Sequence, residues 1–200
     1  MQQDKHQLIL AAAADIFAAQ GFYQATIEQI ADAAGVGKGT VYLYFKSKKG
    51  LFDALVLESS QRVLQQAKAV LTAHSDPIER IRMLTEIQLQ ILKRNYPLMQ
   101  MIMREFSPGK LKDLRPELAQ HIRELRELYV LILEEGIATG HLRPHNPQVA
   151  ASAYMGAVNQ VGADLNHGHL QLSLADTEEA LFQLFITGLQ KRGEPTDADC

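Results

Sequence analysis

Residues 26 to 51 restrict this chain most: Thr26-Ile-Glu-Gln-Ile-Ala-Asp-Ala-Ala-Gly-Val-Gly-Lys-Gly-Thr-Val-Tyr-Leu-Tyr-Phe-Lys-Ser-Lys-Lys-Gly-Leu51. Thr26 and Gln29 stand at the T-x-x-Q spacing of a capping box, in which each side chain satisfies an amide that a helix start leaves orphaned. Ile27, Ile30, Ala31 and Ala34 then share one helical face. Gly35 supplies a turn at a backbone angle that β-carbons disfavour. Val41, Tyr44 and Phe45 fall at i, i+3 and i+4 of the next helix and form its inward face. Two short helices joined by a tight glycine turn have one well-known physical use, which is to lay the second helix in the major groove of DNA.

Composition sets the frame for that unit. With 46% hydrophobic and 22% charged residues, the 200-residue chain can build a sizeable core. It has no apolar run of about 18 residues to span a bilayer and no apolar stretch behind its polar start, so a cytoplasmic location is expected. Cys200 is the one cysteine, which excludes a disulfide framework or a cysteine–zinc cluster. A net charge of −3 is unlike a nucleic-acid binder as a sum. Its distribution is not. Residues 37 to 50 hold Lys38, Lys46, Lys48 and Lys49 with no acidic residue, whereas residues 51 to 200 carry 15 Lys and Arg against 19 Asp and Glu.

Helical punctuation runs throughout and strand-like alternation is scarce. The spacing predicts an all-α fold of about nine helices: a three-helix helix-turn-helix head over residues 1–46 and a larger helical body over 47–200. Ser47 is read as the cap of a long fourth helix to about Ala73. Asn95-Tyr96-Pro97 reads as a break, with a short sixth helix over about 97–106. Lys110 to Leu114 reads as loop, a seventh helix runs from Pro116 to about Gly140, and an eighth from Asn146-Pro147 to about Asn166. A ninth starts at Asp176 or Thr177 and stops before Gly193.

On the third helix, Lys38, Gly39, Thr40, Tyr42 and Leu43 are the outward candidates near its start, where a recognition helix meets bases. Gly39 costs roughly 1 kcal/mol in a helix interior, and its missing side chain would let backbone approach a duplex closely. Lys48 and Lys49 place positive charge at a positive helix end, where acidic groups are favoured by about 0.3–1 kcal/mol. A phosphate shared by Ser47, Lys48 and the free amides would offset that cost.

The stretch Ile9 to Leu55 resembles the DNA-binding domain of the TetR family of transcriptional regulators. Thr26-Ile-Glu-Gln-Ile-Ala31, Ala34-Gly-Val-Gly-Lys-Gly-Thr-Val-Tyr-Leu-Tyr-Phe45 and Lys46-Ser-Lys48 carry the likeness. The resemblance implies that Thr26 touches a phosphate, that Lys38, Gly39, Thr40 and Tyr42 lie in the groove, and that Tyr44 and Lys48 contact the backbone. Two positions depart from the commonest pattern. Gly37 stands where Ser or Thr often caps the recognition helix, and Lys49-Gly50 replaces a frequent acidic residue.

In the body, the eighth helix offers small residues (Ala150, Ala151, Ala153, Gly156, Ala157, Gly162, Ala163) and the ninth offers bulk (Leu181, Phe182, Leu184, Phe185, Leu189). A helix-turn-helix head needs a two-fold partner to read paired half-sites, so these two helices are expected to form a homodimer; the resemblance implies the same interface. Met99, Ile102, Met103 and Phe106 make an i, i+3, i+4, i+7 face, and methionine re-packs around varied ligands. The resemblance implies an inducer pocket enclosed by the fifth to eighth helices. Its candidate lining is Ile87, Ile91, Met99, Met103, Phe106, Ile122, Tyr129, Met155 and Asn159, and its ligand an apolar or amphipathic small molecule with Tyr129 or Asn159 as polar handle.

His141-x-x-x-His145 and His167-x-His169 lack cysteines and a clear third ligand in sequence and read as loop histidines, so no metal site is expected. No serine elbow, phosphate loop or catalytic His/Asp cluster is present, and neither an enzyme nor a cofactor is expected. The function expected is a dimeric, ligand-responsive transcriptional regulator, a repressor that binds a palindromic operator and is released by its small-molecule inducer. The alternative is a helical adaptor whose head binds protein rather than DNA.

Overall fold

The structure is a computed structural model that describes residues 2–105 and 116–189, with side chains from 5 to 96 and from 116 onward. Its regular structure is helical. Eight helices are described: α1 Gln2–Gln20, α2 Ile27–Ala33, α3 Lys38–Phe45, α4 Lys48–Ala73, α5 Pro77–Glu105, α6 Pro116–Ala138, α7 Pro147–Asn166 and α8 Leu174–Leu189. The chain divides into two compact units, Met1–Val63 with Arg94–Ile122, and Leu64–Lys93 with Arg123–Cys200.

The first unit is built on the face that periodicity marked. Ile9, Leu10, Ala13 and Phe17 of α1 meet Ile27, Ile30 and Ala31 of α2, Val41 and Phe45 of α3, and Leu51, Phe52 and Leu55 of α4 in one buried cluster. Phe52 is its aromatic hub, with the Phe17 and Phe22 rings 5.7 and 5.2 Å from it in edge-on contact. The capping box of α2 is complete: the Gln29 amide donates to Thr26 Oγ1 at 3.2 Å and the Thr26 amide to Gln29 Oε1 at 2.9 Å. Behind α2, Gly35 takes a φ of +65°, its amide donates to Asp32 O, and the Val36 amide reaches back to Ala31 O. That pair of bonds is a Schellman closure, and it fixes the angle at which α3 departs. Gly37 caps α3 with backbone alone and makes no side-chain cap bond.

Two features set α4 against α3. Lys46 holds a φ of +54°, a strained value for a residue with a side chain. Ser47 then caps α4, its Oγ accepting the Gly50 amide at 2.9 Å. A β-carbon built on Gly50 would stand 2.4 Å from the backbone oxygen of Phe45. The glycine at this position thus lets the first turn of α4 come close to the end of α3.

In the second unit, Ala67 and Val70 of α4, Ile81, Leu84 and Leu89 of α5, Tyr129, Ile132 and Leu133 of α6, Ala151, Tyr154 and Val158 of α7 and Leu181, Phe182 and Ile186 of α8 share a core. Arg82 ties α5 to α8: its guanidinium lies 3.9 Å from the Phe182 ring centre and pairs with Glu178 and Glu179.

The helix count differs from expectation by one. Residues 97–105 continue α5, and Pro97 does not end it. A proline inside a helix removes one i→i−4 bond at a cost of about 3 kcal/mol, and the apolar stripe Ile81, Leu84 and Leu89 anchors the helix through its first half. The last helix starts at Leu174 rather than Asp176 because Ser173 caps it, accepting the Asp176 amide at 3.1 Å. The expected loop at Lys110 to Leu114 lies outside the described residues.

Gly50→Ala tests the contact of α3 with α4. Alanine gains roughly 1 kcal/mol of helix propensity, but the clash is with backbone that cannot rotate away, at the upper end of the ~1–3 kcal/mol typical of overpacking. A net loss of about 1–2 kcal/mol is expected, lowering Tm by several degrees in calorimetry; an unchanged Tm contradicts the packing described.

Candidate functional site

The candidate nucleic-acid face is the outer side of α3 with the first turns of α2 and α4. Lys38, Gly39, Tyr42 and Leu43 are exposed there, Leu43 at 80%, while Thr40 and Tyr44 are half-buried. An exposed leucine and tyrosine in successive positions, beside a glycine, form a low, apolar-edged ridge. Thr26 and Ser47, both exposed, stand at the helix starts.

The lysines are more constrained than the sequence suggested. Lys38 is paired with Glu28 of α2 and sits 5.9 Å from the Tyr42 ring centre. The Glu28 hydrogen bond raises the Lys38 pKa, and the same bond holds the Glu28 carboxyl below its ordinary value. Lys49 pairs with Asp53 one turn on, at 3.0 Å. Lys48 donates to the carbonyls of Ala25 and Tyr23 at 2.8 and 3.1 Å, with the Phe22 ring centre 4.9 Å away. The offset assigned to phosphate, needed because Lys48 sits at a positive helix end, is thus already present within the chain. Two of its three ammonium protons are committed, leaving one for an outside acceptor. Glu28 and Phe22 were not singled out from sequence. Glu28 stands ten residues before Lys38 across the glycine turn, a spacing that periodicity within one helix does not test.

The candidate ligand side chains fall into three groups. Tyr129 is fully buried, and Ile87 and Met155 pack against the same core with Ile91 half-buried nearby in sequence. Ile122 is 54% exposed and Asn159 lies on the outer face of α7. Met99 and Met103 lie on α5 with side chains outside those described, and Phe106 lies outside the described residues.

Around Tyr129 the structure assembles polar groups that the sequence did not mark. The Tyr129 hydroxyl donates to Gln88 Oε1 at 3.0 Å. The Tyr154 hydroxyl meets Thr85 Oγ1, whose own proton goes to Ile81 O at 2.7 Å, so Tyr154 is the donor. The two tyrosine rings are 5.7 Å apart, and Phe185 lies 4.3 Å beyond Tyr154. Burial pushes the Tyr154 phenol up to about 12, against the opposing pull of Thr85, and lifts Tyr129 well above its ordinary range. Thr85, Gln88, Tyr129 and Tyr154 are therefore a neutral hydrogen-bonding set packed among apolar side chains, with the charges of Glu178 and Arg82 acting on Tyr154.

Comparison with known proteins decides the family. The family described as "Bacterial regulatory proteins, tetR family" matches residues 9–55, and "Tetracyclin repressor-like, C-terminal domain" matches residues 74–163. The HTH-type transcriptional regulator RutR of Escherichia coli O157:H7 is 31% identical over 148 residues, covering 72% of this chain and 67% of that protein. The chain belongs to the TetR family. TetR-family regulators such as these are transcription factors rather than enzymes. The fatty acid metabolism regulator protein of Bacillus subtilis (strain 168) is 22% identical over 96% of this chain and 98% of its own length. A crystal structure of the regulator FadR from Bacillus subtilis in complex with stearoyl-CoA superposes with a TM-score of 0.74 at 21% identity, covering 91% of this chain and 98% of that one. Among the described residues no helix is long and apolar enough to cross a membrane.

Neutral burial of the two tyrosines predicts alkaline sensitivity. In the unfolded TetR-family chain a phenol ionises near its ordinary value of 10, and in the fold Tyr154 ionises only near 12. The stability this burial contributes is complete below pH 10 and is lost as pH rises toward 12. Urea unfolding at pH 8 and pH 11 is expected to show that loss, and Tyr154→Phe to show a smaller one, after costing about 0.5–1.5 kcal/mol at pH 8 for its hydrogen bond. Equal pH dependence in the two proteins contradicts the assignment.

Proposed function

We propose that this TetR-family regulator is a homodimeric repressor that acts in the cytoplasm, binds a palindromic operator through residues 1–46 and is released by an amphipathic acyl ligand held in residues 47–200. The observation that carries the DNA reading is the bare ridge of α3. Leu43 and Tyr42 are exposed beside Gly39, and an exposed apolar side chain on a recognition helix has a natural partner in the thymine methyl group. In this reading Lys38, Gly39, Thr40 and Tyr42 meet the groove, and Thr26, Tyr44, Ser47 and the remaining proton of Lys48 hold phosphates.

The ligand class is supported by two features. The related Bacillus subtilis regulator is described with stearoyl-CoA bound, and in this chain neutral polar groups from α5, α6 and α7 are set among aliphatic side chains. An acyl chain would lie against Ile87, Ile91, Tyr129 and Met155, with the thioester carbonyl a candidate for the phenols. Asn159, exposed in the single chain, would take the polar end.

Selection of duplexes from a random pool, followed by gel-shift titration, tests the head. The wild type is expected to enrich one palindrome and to lose affinity with salt at about 0.9 in the logarithmic slope per phosphate neutralised. Tyr42→Ala is expected to lose the preference for that palindrome over random duplex, while Lys48→Ala weakens both. No affinity for any duplex at low salt favours the protein-binding adaptor. Stearoyl-CoA, stearate and coenzyme A are then added separately to the operator complex. Release by the thioester alone is expected, and release by none removes the acyl ligand while leaving the DNA reading intact.

The dimer is proposed to form through α7 and α8. Val149, Ala153 and Gly156 of α7 and Leu184 of α8 are exposed, Leu184 at 74% and Val149 at 66%. Leu184→Glu places a charge where an apolar contact is expected. Sedimentation should show monomer for this variant with unchanged circular dichroism, together with loss of operator binding; a dimer identical to the wild type contradicts the interface.

A further inference from the structure

The turn between α7 and α8 gathers a ligand set that sequence spacing left incomplete. Asp164, His167 and His169 each offer one metal-binding atom, and the three atoms lie within 4.8 Å of one another. His169 Nδ1 is 3.4 Å from Asp164 Oδ1, and the two imidazole rings stack with centres 5.4 Å apart. The backbone holds this arrangement. The His169 and Leu170 amides both return to Asp164 O, at 2.9 and 3.3 Å, and Gly168 takes a φ of +74° to turn the chain. Gln160, one turn earlier on α7, donates to Asp164 Oδ1 at 3.1 Å and orients the carboxylate.

From this cluster we propose a surface site for a divalent transition ion of the zinc type, ligated by Asp164, His167 and His169 and completed by water. Two imidazoles with one carboxylate suit Zn²⁺, Co²⁺ or Ni²⁺, whereas Mg²⁺ and Ca²⁺ require oxygen ligands. Ligands about 2.0–2.1 Å from a tetrahedral ion stand roughly 3.4 Å apart. The Asp164–His169 pair is already at that separation, and the ligand atom of His167 lies within 4.8 Å of both. The position favours a cation, because His167 caps α7 at its negative end. Gln160 acts as a positioning residue, since the carboxylate it holds would otherwise rotate. An ion here would staple the α7–α8 turn.

Untagged full-length protein carrying Cys200→Ser, which removes the only thiol, is titrated with Co²⁺ under equilibrium dialysis and visible absorption. One Co²⁺ per chain is expected, with d–d bands that Zn²⁺ displaces. Gln160→Ala should weaken binding about 10–100-fold, the range for outer partners. His167→Gln/His169→Gln should abolish the bands while leaving circular dichroism unchanged, because both histidines are exposed. Zn²⁺ should raise the Tm of the parent protein in a concentration-dependent way and not that of the double variant. Bands and stoichiometry that survive in the double variant overturn the site, as does a parent protein that binds less than one ion at millimolar Co²⁺.

Discussion

The ammonium of Lys48 sits between the carbonyls of Tyr23 and Ala25, with the Phe22 ring close by. Hydrogen bonds to a charged group contribute about 1.5–3 kcal/mol each in favourable settings, and here two of them join residues 23 and 25 positions apart in sequence. The loop they seize leads directly into Thr26, the cap of α2. Fixing that loop fixes where α2 begins. Through the Schellman closure at Gly35 and Val36, the direction of α3 follows. From the other end, Gly50 lets the first turn of α4 sit against the Phe45 carbonyl. The recognition helix is therefore clamped at both ends by backbone contacts, with the Lys38–Glu28 pair beside them, and its placement does not require Tyr42 or Leu43 to be buried. That freedom explains why Leu43 and Tyr42 can remain exposed without destabilising the head.

Paired lysines give the face a different electrostatic character from a bare basic patch. Lys38 and Lys49 are each matched by a carboxylate on the same surface. The Lys38–Glu28 pair is exposed on both sides and contributes little to stability, so in the proposed complex a phosphate or base edge would exchange for that carboxylate at small cost. Such an exchange makes affinity depend on the geometry of the incoming acceptor as well as on charge. A duplex with acceptors in register gains more than a random one, which is the requirement of a sequence reader on a chain whose net charge is −3.

Much of the head was legible in sequence because its signals are local. The T-x-x-Q cap, the glycine turn and the i, i+3, i+4 face act over at most one turn, and all three appear as expected. Distance in sequence is what hid the rest. The carbonyls that hold Lys48 and the carboxylate that holds Lys38 come from other elements, and no periodicity reports them. Pro97 shows the opposite failure, a strong local signal overridden by the helix around it. In the body, the small residues of the eighth predicted helix suggest one surface, yet α7 uses them on two sides. Gly162 lies where a β-carbon would meet Leu92 at 2.7 Å, so it admits α5, and Ala151 is buried, whereas Ala153 and Gly156 face outward. Residue size reveals that something approaches closely, but the identity of that neighbour is a property of the fold.

The buried tyrosines show how a core can be polar without being unstable. A hydroxyl removed from water costs about 1–3 kcal/mol unless it is paired, and each of these phenols is paired, Tyr129 with Gln88 and Tyr154 with Thr85. Neither partner is an ion, so the pairing carries no charge-burial penalty. The Gln88 carbonyl accepts from Tyr129 while its amide group keeps two protons to offer elsewhere. An uncharged carbonyl could take a proton from Gln88 without breaking the existing bond, whereas a carboxylate would surrender its hydration among groups that carry no charge, and the guanidinium of Arg82 is already paired with Glu178 and Glu179. On the proposed acyl reading, the hydrogen-bonding set around Tyr129 offers a carbonyl a proton from Gln88 and no charge of its own, which is why an ester or thioester rather than a free acid is the expected ligand.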